Sequence, residues 1–170
     1  LNYTPSRQWT FSVYGDFFKF PWLKYRVDSA SSGYETFTQA VYTPTKTFKI
    51  LTRYKREIKQ QNADAGSKYP YLQDVSKENY RIECNWQLSK KIGFQQRAEL
   101  VHYKKGAADE FGYMAYQDLN YRPLSSKLSG NIRLAYFSTP SYNSRIYAYE
   151  DDVLYGSSFG AYNGKGIRTF

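Results

Sequence analysis

The feature that most constrains the fold of this chain is an alternation of apolar and polar side chains with a period of two. It is clearest over residues 79–89, where every odd-numbered position is polar. The even-numbered positions there are apolar: Tyr80, Ile82, Cys84, Trp86 and Leu88. Successive side chains of a β-strand point to opposite faces, so this pattern predicts a strand with one apolar and one polar face.

The same alternation recurs along the chain and predicts about eight strands and no helix. The clear segments are residues 48–60, 79–89, 92–104, 111–122 and 128–137. The weaker segments are residues 9–17, 34–43 and 145–155. Strands of soluble proteins are usually about five or six residues long, whereas strands that span a bilayer have about ten. The lengths of these segments therefore favour a membrane-spanning wall.

The predicted connections alternate between short turns and longer polar loops, which is typical of transmembrane β-barrels. Short turns fall at residues 44–47, 89–91 and 123–127, and longer loops at residues 21–33 and 60–78. Only the connection around Gly106 is shorter than this scheme favours. We predict an all-β fold, an antiparallel transmembrane β-barrel in a single domain over residues 1–170, with the short turns facing the periplasm.

The polar face of the predicted strands carries charges of both signs, which suits a wet lumen where opposite charges pair across strands. The predicted lumen-facing charged residues are Lys49, Arg53, Lys55, Glu57, Lys59, Arg81, Glu83, Arg97, Glu99, Asp118, Arg122 and Arg133. The net charge of +9 leaves a second interpretation open, in which the lumen attracts an anionic solute or a DNA strand. Pairing with nearby carboxylates is the favoured interpretation.

The opposite face places aromatic side chains toward the strand ends, and Tyr and Trp prefer the interface between bilayer and water. The predicted lipid-facing or interfacial aromatic residues are Phe48, Tyr54, Tyr80, Trp86, Phe94, Phe111, Tyr113, Tyr121 and Tyr136. Outer-membrane lipid is therefore the first expected partner, and the bacterial outer membrane the expected location. The alternative is a soluble lipocalin-like carrier whose apolar face turns inward around a ligand.

No residue pattern predicts catalysis, a metal site or a cofactor. The only histidine, His102, falls on the apolar face near a rim, outside the hydrogen-bonded setting that a catalytic triad needs. The only cysteine, Cys84, cannot form an internal disulfide and is predicted to be a small lipid-facing residue. Glu150, Asp151 and Asp152 form an acidic cluster. Calcium needs six or more oxygen ligands, so a loop anchor or a partner for lumenal arginines is favoured.

Two further patterns do not match catalytic or nucleotide-binding functions. Residues 160–166 lack both the glycine spacing and the Ser or Thr after Lys165 that a phosphate-binding loop requires, so they predict a glycine-rich loop. A barrel enzyme acting on lipid or peptide would need a second acidic pair facing Asp151 and Asp152, and the sequence indicates none.

Three runs of the sequence carry a resemblance to a known family. They are residues 18–26 (FKFPWLKYR), 144–155 (SRIYAYEDDVLY) and 162–166 (YNGKG). The chain resembles, over most of its length, a Bacteroidetes-type outer-membrane β-barrel family. In that family the barrel follows a periplasmic helix-hairpin-helix domain similar to DNA-binding competence modules. The resemblance implies no catalytic residues, and the helix-hairpin-helix portion is absent from these residues, so no DNA-binding residue is carried over.

The resemblance also implies a longer barrel, because barrels of that family exceed this length. Phe170 is preceded at alternate positions by Arg168, Gly166 and Gly164, which does not match the last strand of a barrel. Residues 166–170 are predicted to begin another strand, and the chain, which starts at Leu1 without a signal peptide, to be a mature product or a segment. Closure of eight strands alone stays open.

The function expected from these patterns is non-enzymatic. The chain is predicted to be a pore or a membrane anchor, with DNA uptake or passage of macromolecules as a role for the full-length protein. Its expected partners are outer-membrane lipid, further strands of the same barrel or a larger outer-membrane complex, and DNA. The alternatives are an accessory subunit of an outer-membrane secretion or uptake complex, and an outer-membrane barrel enzyme, either a lipase or a protease.

Overall fold

The computed structural model describes residues 1–25, 27–63, 71–123, 128–151 and 157–169. Within these ranges every regular element is a β-strand. The strands are β1 (Asn2–Ser6), β2 (Trp9–Phe20), β3 (Ser31–Thr45), β4 (Phe48–Asn62), β5 (Leu72–Gln87), β6 (Ile92–Lys105), β7 (Ala108–Tyr121), β8 (Gly130–Thr139), β9 (Ile146–Asp151), β10 (Ser157–Tyr162) and β11 (Gly164–Thr169). No helix in the described residues is long and apolar enough to cross a membrane.

Nine of the strands form one antiparallel sheet in the order β1-β2-β3-β4-β5-β6-β7-β8-β11. The prediction of an all-β, antiparallel fold is confirmed. The predicted number of about eight strands is too low, because the short strands β1, β10 and β11 carry too few alternating positions to stand out. Residues 166–170, predicted to begin a strand, overlap β11. In the part of the chain that the structure describes, β1 and β11 are the two edges of the sheet.

The turns sort to the two ends of the sheet much as the loop pattern predicted. The strand ends joined by connections 46–47 and 88–91 lie at one end of the sheet, together with the end of β7 and the start of β8. The end of β2, the start of β3, the end of β4 and the start of β5 lie at the other. The turn that joins β6 to β7 shares this second end and holds only two residues. Gly106 occupies this turn with a φ of 56°, a left-handed conformation that glycine adopts without strain.

A separate hairpin interrupts the sheet between β8 and β11. Strands β9 and β10 pair only with each other among the described residues, from Ile146 opposite Tyr162 to Asp151 opposite Ser157. The chain then turns at Gly164, with a φ of 85°, and β11 pairs with β8. The weaker segment at residues 145–155 does contain a strand, β9, but the prediction that it belongs to the wall is wrong for the described residues, because β9 does not pair with the nine-stranded sheet. Residues 152–155 lie outside the described residues. Alternation shows that a segment is extended and two-faced, but it does not show which strand pairs with it.

The prediction of a glycine-rich loop at residues 160–166 is also wrong. These residues end β10 and begin β11, with a single residue, Asn163, between the strands. Gly160 packs closely against Glu150, because a Cβ atom there would lie 2.6 Å from Oε1 and would force this carboxylate to shift. The glycines therefore mark a close contact and a tight turn instead of an extended loop.

The hydrophobic core lies between the hairpin and the sheet. Seven buried residues form one cluster: Val101, Met114, Tyr116, Ala135, Ile146, Ala148 and Tyr162. Four of them belong to strands β6, β7 and β8, and the other three belong to the hairpin. The hairpin therefore covers the face of the sheet that also carries the predicted lumenal charges.

Candidate functional site: the two faces of the sheet and the seated hairpin

The register of the sheet brings the predicted aromatic residues onto one face. They lie in two cross-strand rows with apolar neighbours. One row contains Tyr54, Tyr80, Leu100 and Tyr113, and the other contains Phe48, Trp86, Phe94 and Leu119. Tyr136 contacts Tyr113, with ring centroids 5.9 Å apart. Phe111 pairs with His102 and Tyr121 with Ile92, so all nine predicted aromatic residues share this face, which we call the apolar face.

The apolar face is uncovered in this chain. Between the aromatic rows, Ile82 is 57% exposed, and Leu134 is 58% exposed. Many other large apolar side chains also point away from the core, so the face forms an extended exposed patch. Such a patch marks an interaction surface. Cys84 lies on this face between Ile82 and Trp86 and is only partly exposed.

The apolar face becomes polar near the end that carries the longer loops. Arg56 forms an ion pair with Glu78, with 3.3 Å between Nε and Oε1. His102 stacks on Phe111 with ring centroids 4.2 Å apart, and its Nε2 lies 2.8 Å from Oδ1 of Asp109. The sequence predicted that His102 lies near a rim of the apolar face. Arg56, Glu78, His102 and Asp109 form that rim.

The opposite face, which we call the polar face, carries the twelve predicted charged residues. Those on β6, β7 and β8 are buried: Arg97 (6% exposed), Glu99 (4%), Asp118 (1%) and Arg133 (4%). Glu99 accepts hydrogen bonds from both Arg81, at 2.9 Å, and Arg97. Arg133 forms a two-pronged ion pair with Asp118, with Nη2 2.5 Å from Oδ2. These buried charges are thus compensated inside the protein, as burial of charge requires.

The predicted charges on β4 are more exposed and are compensated in part. Lys55 pairs with Glu35 at 2.8 Å, and Lys59 pairs with Glu57 at 3.0 Å. Arg53 instead donates two hydrogen bonds to the side-chain oxygen of Gln39, at 2.7 and 3.0 Å.

The remaining predicted charges have other surroundings. Glu83 accepts hydrogen bonds from the amides of Gln95, at 3.1 Å, and Asn85, at 3.2 Å, so its contacts are to neutral groups. Lys49 and Arg122 are exposed toward the end with the shorter turns. The expected pairing across strands is therefore observed for Lys55, Arg81 and Arg133, whereas Arg53 contacts a neutral amide.

The hairpin is held on the polar face by cations that bind its backbone. Nζ of Lys77 donates to the carbonyl oxygens of Asn143, at 3.1 Å, and Arg145, at 3.4 Å. Arg97 donates to the carbonyl of Tyr147 at 3.0 Å, and Arg133 to that of Tyr149 at 2.5 Å. The carbonyls of Tyr147 and Tyr149 are two residues apart, so they share the edge of β9 that does not pair with β10, and those of Asn143 and Arg145 lie just before this strand. The cations of the sheet thereby donate hydrogen bonds to backbone carbonyls of a strand edge that would otherwise have no partner.

The sequence did not reveal this role of Lys77, Arg97 and Arg133. Their partners are backbone carbonyls, which every residue has, so no complementary residue type marks the contact. The alternation of charges along the strands identifies Arg97 and Arg133 only as lumenal cations, and Lys77 lies outside the segments with clear alternation.

The two faces of β9 have different environments. Ile146, Ala148 and Glu150 are buried against the sheet, whereas Tyr147 and Tyr149 are each 44% exposed. Tyr147 lies beside a groove of about 380 Å³, and Tyr149 lies beside a second groove of about 570 Å³. The hairpin therefore contributes a tyrosine to each of two grooves on the polar face.

Glu150 links the hairpin to the last strand of the sheet. It accepts a hydrogen bond from the hydroxyl of Tyr162 at 2.7 Å and forms an ion pair with Arg168 at 2.7 Å. Burial and the hydrogen bond to this carboxylate raise the pKa of Tyr162 to about 12. Glu150 pairs with an arginine as the sequence predicted for the acidic cluster. The side chains of Asp151 and Asp152 lie outside the described part of the chain.

The described residues contain no group of three or more His, Cys, Asp or Glu side chains that could hold a metal ion. The polar face offers charged and hydrogen-bonding groups that the hairpin covers in part. The chain is thus an antiparallel β-sheet protein with exposed apolar side chains on one face and buried ion pairs on the other.

Comparison with protein-family models, with curated proteins and with solved structures finds no match for this chain. The resemblance to Bacteroidetes-type outer-membrane barrels stays a prediction.

Proposed function

We propose that this chain forms part of the wall of a transmembrane β-barrel in a bacterial outer membrane, with its polar face toward the lumen. The observation that supports the proposal is the inverted arrangement of the two faces. Apolar residues such as Ile132, at 65% exposed, point outward, whereas Asp118 and Arg133 are buried on the inner side. A soluble protein gains stability by removing apolar surface from water, at about 25 cal/mol per Å². Lipid around the apolar face would remove that surface from water.

The dimensions of the apolar face agree with this proposal. The two aromatic rows cross β5 at Tyr80 and Trp86. Six residues of a strand span about 20 Å at about 3.3 Å per residue. The apolar band of an outer-membrane barrel is about 25 Å tall and is flanked by aromatic residues at both interfaces. Strands of such a barrel tilt by about 35–45°, so the two rows would lie about 15 Å apart along the membrane normal and fit within this band.

The hairpin on the polar face favours passage of small solutes, or a role as an anchor, over passage of macromolecules. It covers the inner side of β6, β7 and β8 and leaves grooves of about 380 and 570 Å³ beside it. Such grooves have the size of small-molecule sites, which are about 300–1,000 Å³. The edges β1 and β11 require partners, because an unpaired strand edge exposes backbone groups. They would pair with each other on closure or with further strands.

The proposal is tested by two neighbouring cysteine positions on opposite faces of β5. The native Cys84 lies on the apolar face, and Asn85→Cys in a Cys84→Ser background places a thiol on the polar face. In intact outer membranes a charged, membrane-impermeant maleimide should label position 85 through the water-filled lumen and leave Cys84 unlabelled. After unfolding in denaturant, both positions should be labelled fully.

The control for access is Cys84→Ser alone, which should take up no label. Equal labelling of Cys84 and of position 85 in the native protein would contradict a lipid-covered apolar face. Recovery of the protein in the soluble fraction without detergent would contradict it as well.

A further inference from the structure

The groove beside Tyr147 has an unusual charge distribution. It has a volume of about 380 Å³ and lies between the hairpin and the polar face of strands β2 to β6. Five cations line it: Arg53, Lys55, Lys77, Arg81 and Arg145. Two of these have carboxylate partners, since Lys55 pairs with Glu35 at 2.8 Å and Arg81 with Glu99 at 2.9 Å.

The other three cations contact only neutral groups among the described residues. Arg53 donates to Gln39, and Lys77 donates to two backbone carbonyls. Arg145 donates to the hydroxyl of Tyr147 and to the carbonyl of Tyr142, at 2.5 and 2.6 Å. Neutral acceptors orient these cations but leave their charge in place. Glu57 also lines the groove, opposite Lys77, and pairs with Lys59. The lining therefore holds five cations against the two carboxylates of Glu57 and Glu99, which leaves an excess of positive charge.

The register of the sheet strengthens this conclusion. Arg53 lies directly opposite Arg81 in the pairing of β4 with β5. Like charges in directly opposed positions destabilise a sheet. Glu99 lies opposite Arg81 and balances that guanidinium, whereas the residue opposite Arg53 on β3 is the neutral Gln39. An anion in the groove would relieve the repulsion that the sheet leaves at Arg53.

The groove also offers flat aromatic surfaces beside the cations. Tyr14 and Phe37 stack with centroids 4.8 Å apart and an interplanar angle of 12°. Arg53 lies 5.3 Å from the ring centroid of Phe37, and Arg145 lies 5.3 Å from that of Tyr147. Aromatic rings favour offset stacking with another flat ring, and guanidinium groups bind carboxylate and phosphate in a two-pronged geometry.

We propose that this groove binds a small organic anion in which a carboxylate or phosphate group lies next to a flat apolar ring. Arg53 and Arg145 bind the anionic group from the sheet and from the hairpin, Lys77 adds positive charge, and Phe37 and Tyr147 contact the ring. The proposal rests on the proposed function, because it makes the groove a solute site in the lumen. The hairpin then serves as one wall of the site, since it supplies both Arg145 and Tyr147.

The test is binding of phenyl phosphate by the full chain folded in detergent micelles, measured by titration calorimetry. Inorganic phosphate and phenol separate the anionic and the aromatic contributions. Phenyl phosphate should bind more tightly than either, and the affinity should fall as salt is added, because salt screens exposed charges. Arg53→Gln and Arg145→Gln should each weaken binding about tenfold or more, since hydrogen bonds between charged groups are the strong ones.

The matched control is Lys49→Gln, which removes one positive charge from the same strand and the same face at the other end of β4. It should change the affinity by less than about twofold, because it only alters the surrounding field. Circular dichroism and protease resistance of each variant establish that the hairpin is still seated.

Two results would overturn the proposal: absence of phenyl phosphate binding by the wild-type chain, or equal loss in Lys49→Gln and Arg53→Gln. A third outcome is that the chain does not bind phenyl phosphate but binds a single-stranded oligonucleotide, and that Arg53→Gln leaves this binding unchanged. In that case the positive charge serves to bind a polyanion, and the proposed small-anion site is rejected. Membrane insertion is decided separately by the cysteine labelling. Binding in micelles with equal labelling of positions 84 and 85 would keep the anion site and reject its place in a lumen.

Discussion

The polar face of this sheet has two halves that differ in how their charges are compensated. Under the hairpin, Asp118 and Arg133 are almost completely buried and form a two-pronged pair. On β3 and β4, which line the groove beside the hairpin but are not buried by it and are called the open half, the side chains of Lys55 and Glu35 are 39% and 19% exposed. The outward face of both halves is the same, with Ile82 and Leu134 exposed to similar extents.

The difference shows that the hairpin, and not the strand pattern, decides which charges are buried and how they are compensated. Both halves arise from the same alternation of residues, and both would be open troughs without β9 and β10. Covering one half forces each buried charge to have a full set of partners, because an uncompensated buried charge is costly. The open half keeps cations such as Arg53 with neutral partners, because water reaches them.

The largest effect is expected from breaking the buried pair under the hairpin. Asp118→Ala leaves Arg133 buried without its carboxylate and should lower the free energy of unfolding by about 3–5 kcal/mol. Urea unfolding in detergent micelles measures this. The double variant Asp118→Leu, Arg133→Met, which removes both charges, should recover most of the loss. A loss in the double variant as large as in the single one would show that the pair itself is not the cause.

Charges placed on the outward face should act equally in the two halves. Ile82→Arg on β5 and Leu134→Arg on β8 should each destabilise the membrane-inserted state by about 2–4 kcal/mol, because arginine is costly near the bilayer midplane. The measurement is the folded fraction in lipid vesicles at increasing urea. Asn85→Arg on the polar face is the matched control and should have little effect. If all three variants fold equally well in vesicles, lipid does not cover the apolar face.

Loss of the link between the hairpin and β11 should be smaller. Tyr162→Phe removes the hydroxyl that donates to Glu150 and leaves the ring in the core. We expect a loss of about 1–3 kcal/mol, the range for a buried partner left unsatisfied. Limited proteolysis of the hairpin reports the loss. Arg168, which still pairs with Glu150, keeps the effect toward the low end of that range.

The same tyrosine should give the covered half a dependence on alkaline pH. The pKa of Tyr162 is raised to about 12 in the folded chain, against about 10 for an unperturbed tyrosine. The folded state therefore holds the phenolic proton more tightly, and its contribution is complete below about pH 10 and lost as the pH rises toward 12. Proteolysis or unfolding across this range should show a loss that Tyr162→Phe lacks. Tyr147→Phe, on the exposed side of β9, should retain it.

The smallest effect belongs to the open half. Lys55→Gln removes one member of a partly exposed ion pair with Glu35 and should change the free energy of unfolding by less than about 1 kcal/mol. The measurement is the urea midpoint in micelles, compared with Asp118→Ala under identical conditions. A loss as large as that of Asp118→Ala would remove the distinction between the covered and the open half.

Much of the candidate site was predictable from residue order because strand faces follow from parity alone. Trp86 and Asn85 differ by one position and therefore point to opposite sides, whichever strand pairs with theirs. Parity does not fix which strands pair, and the prediction that β9 belongs to the wall was wrong for this reason. Ile146 and Tyr147 point to opposite faces of β9, as neighbouring residues of a wall strand do. This strand, however, pairs with β10 and packs against the face of the sheet.

The sequence by itself determined that long two-faced strands form an antiparallel sheet and which side chains share each face. These properties depend on neighbouring positions along one strand, and a period of two records them directly. Only the tertiary structure decided that β9 and β10 leave the sheet, that Lys77, Arg97 and Arg133 bind their carbonyls, and that Arg53 keeps an unbalanced charge. Such contacts join residues distant in sequence through backbone groups common to all residues, so no pattern of residue types specifies them.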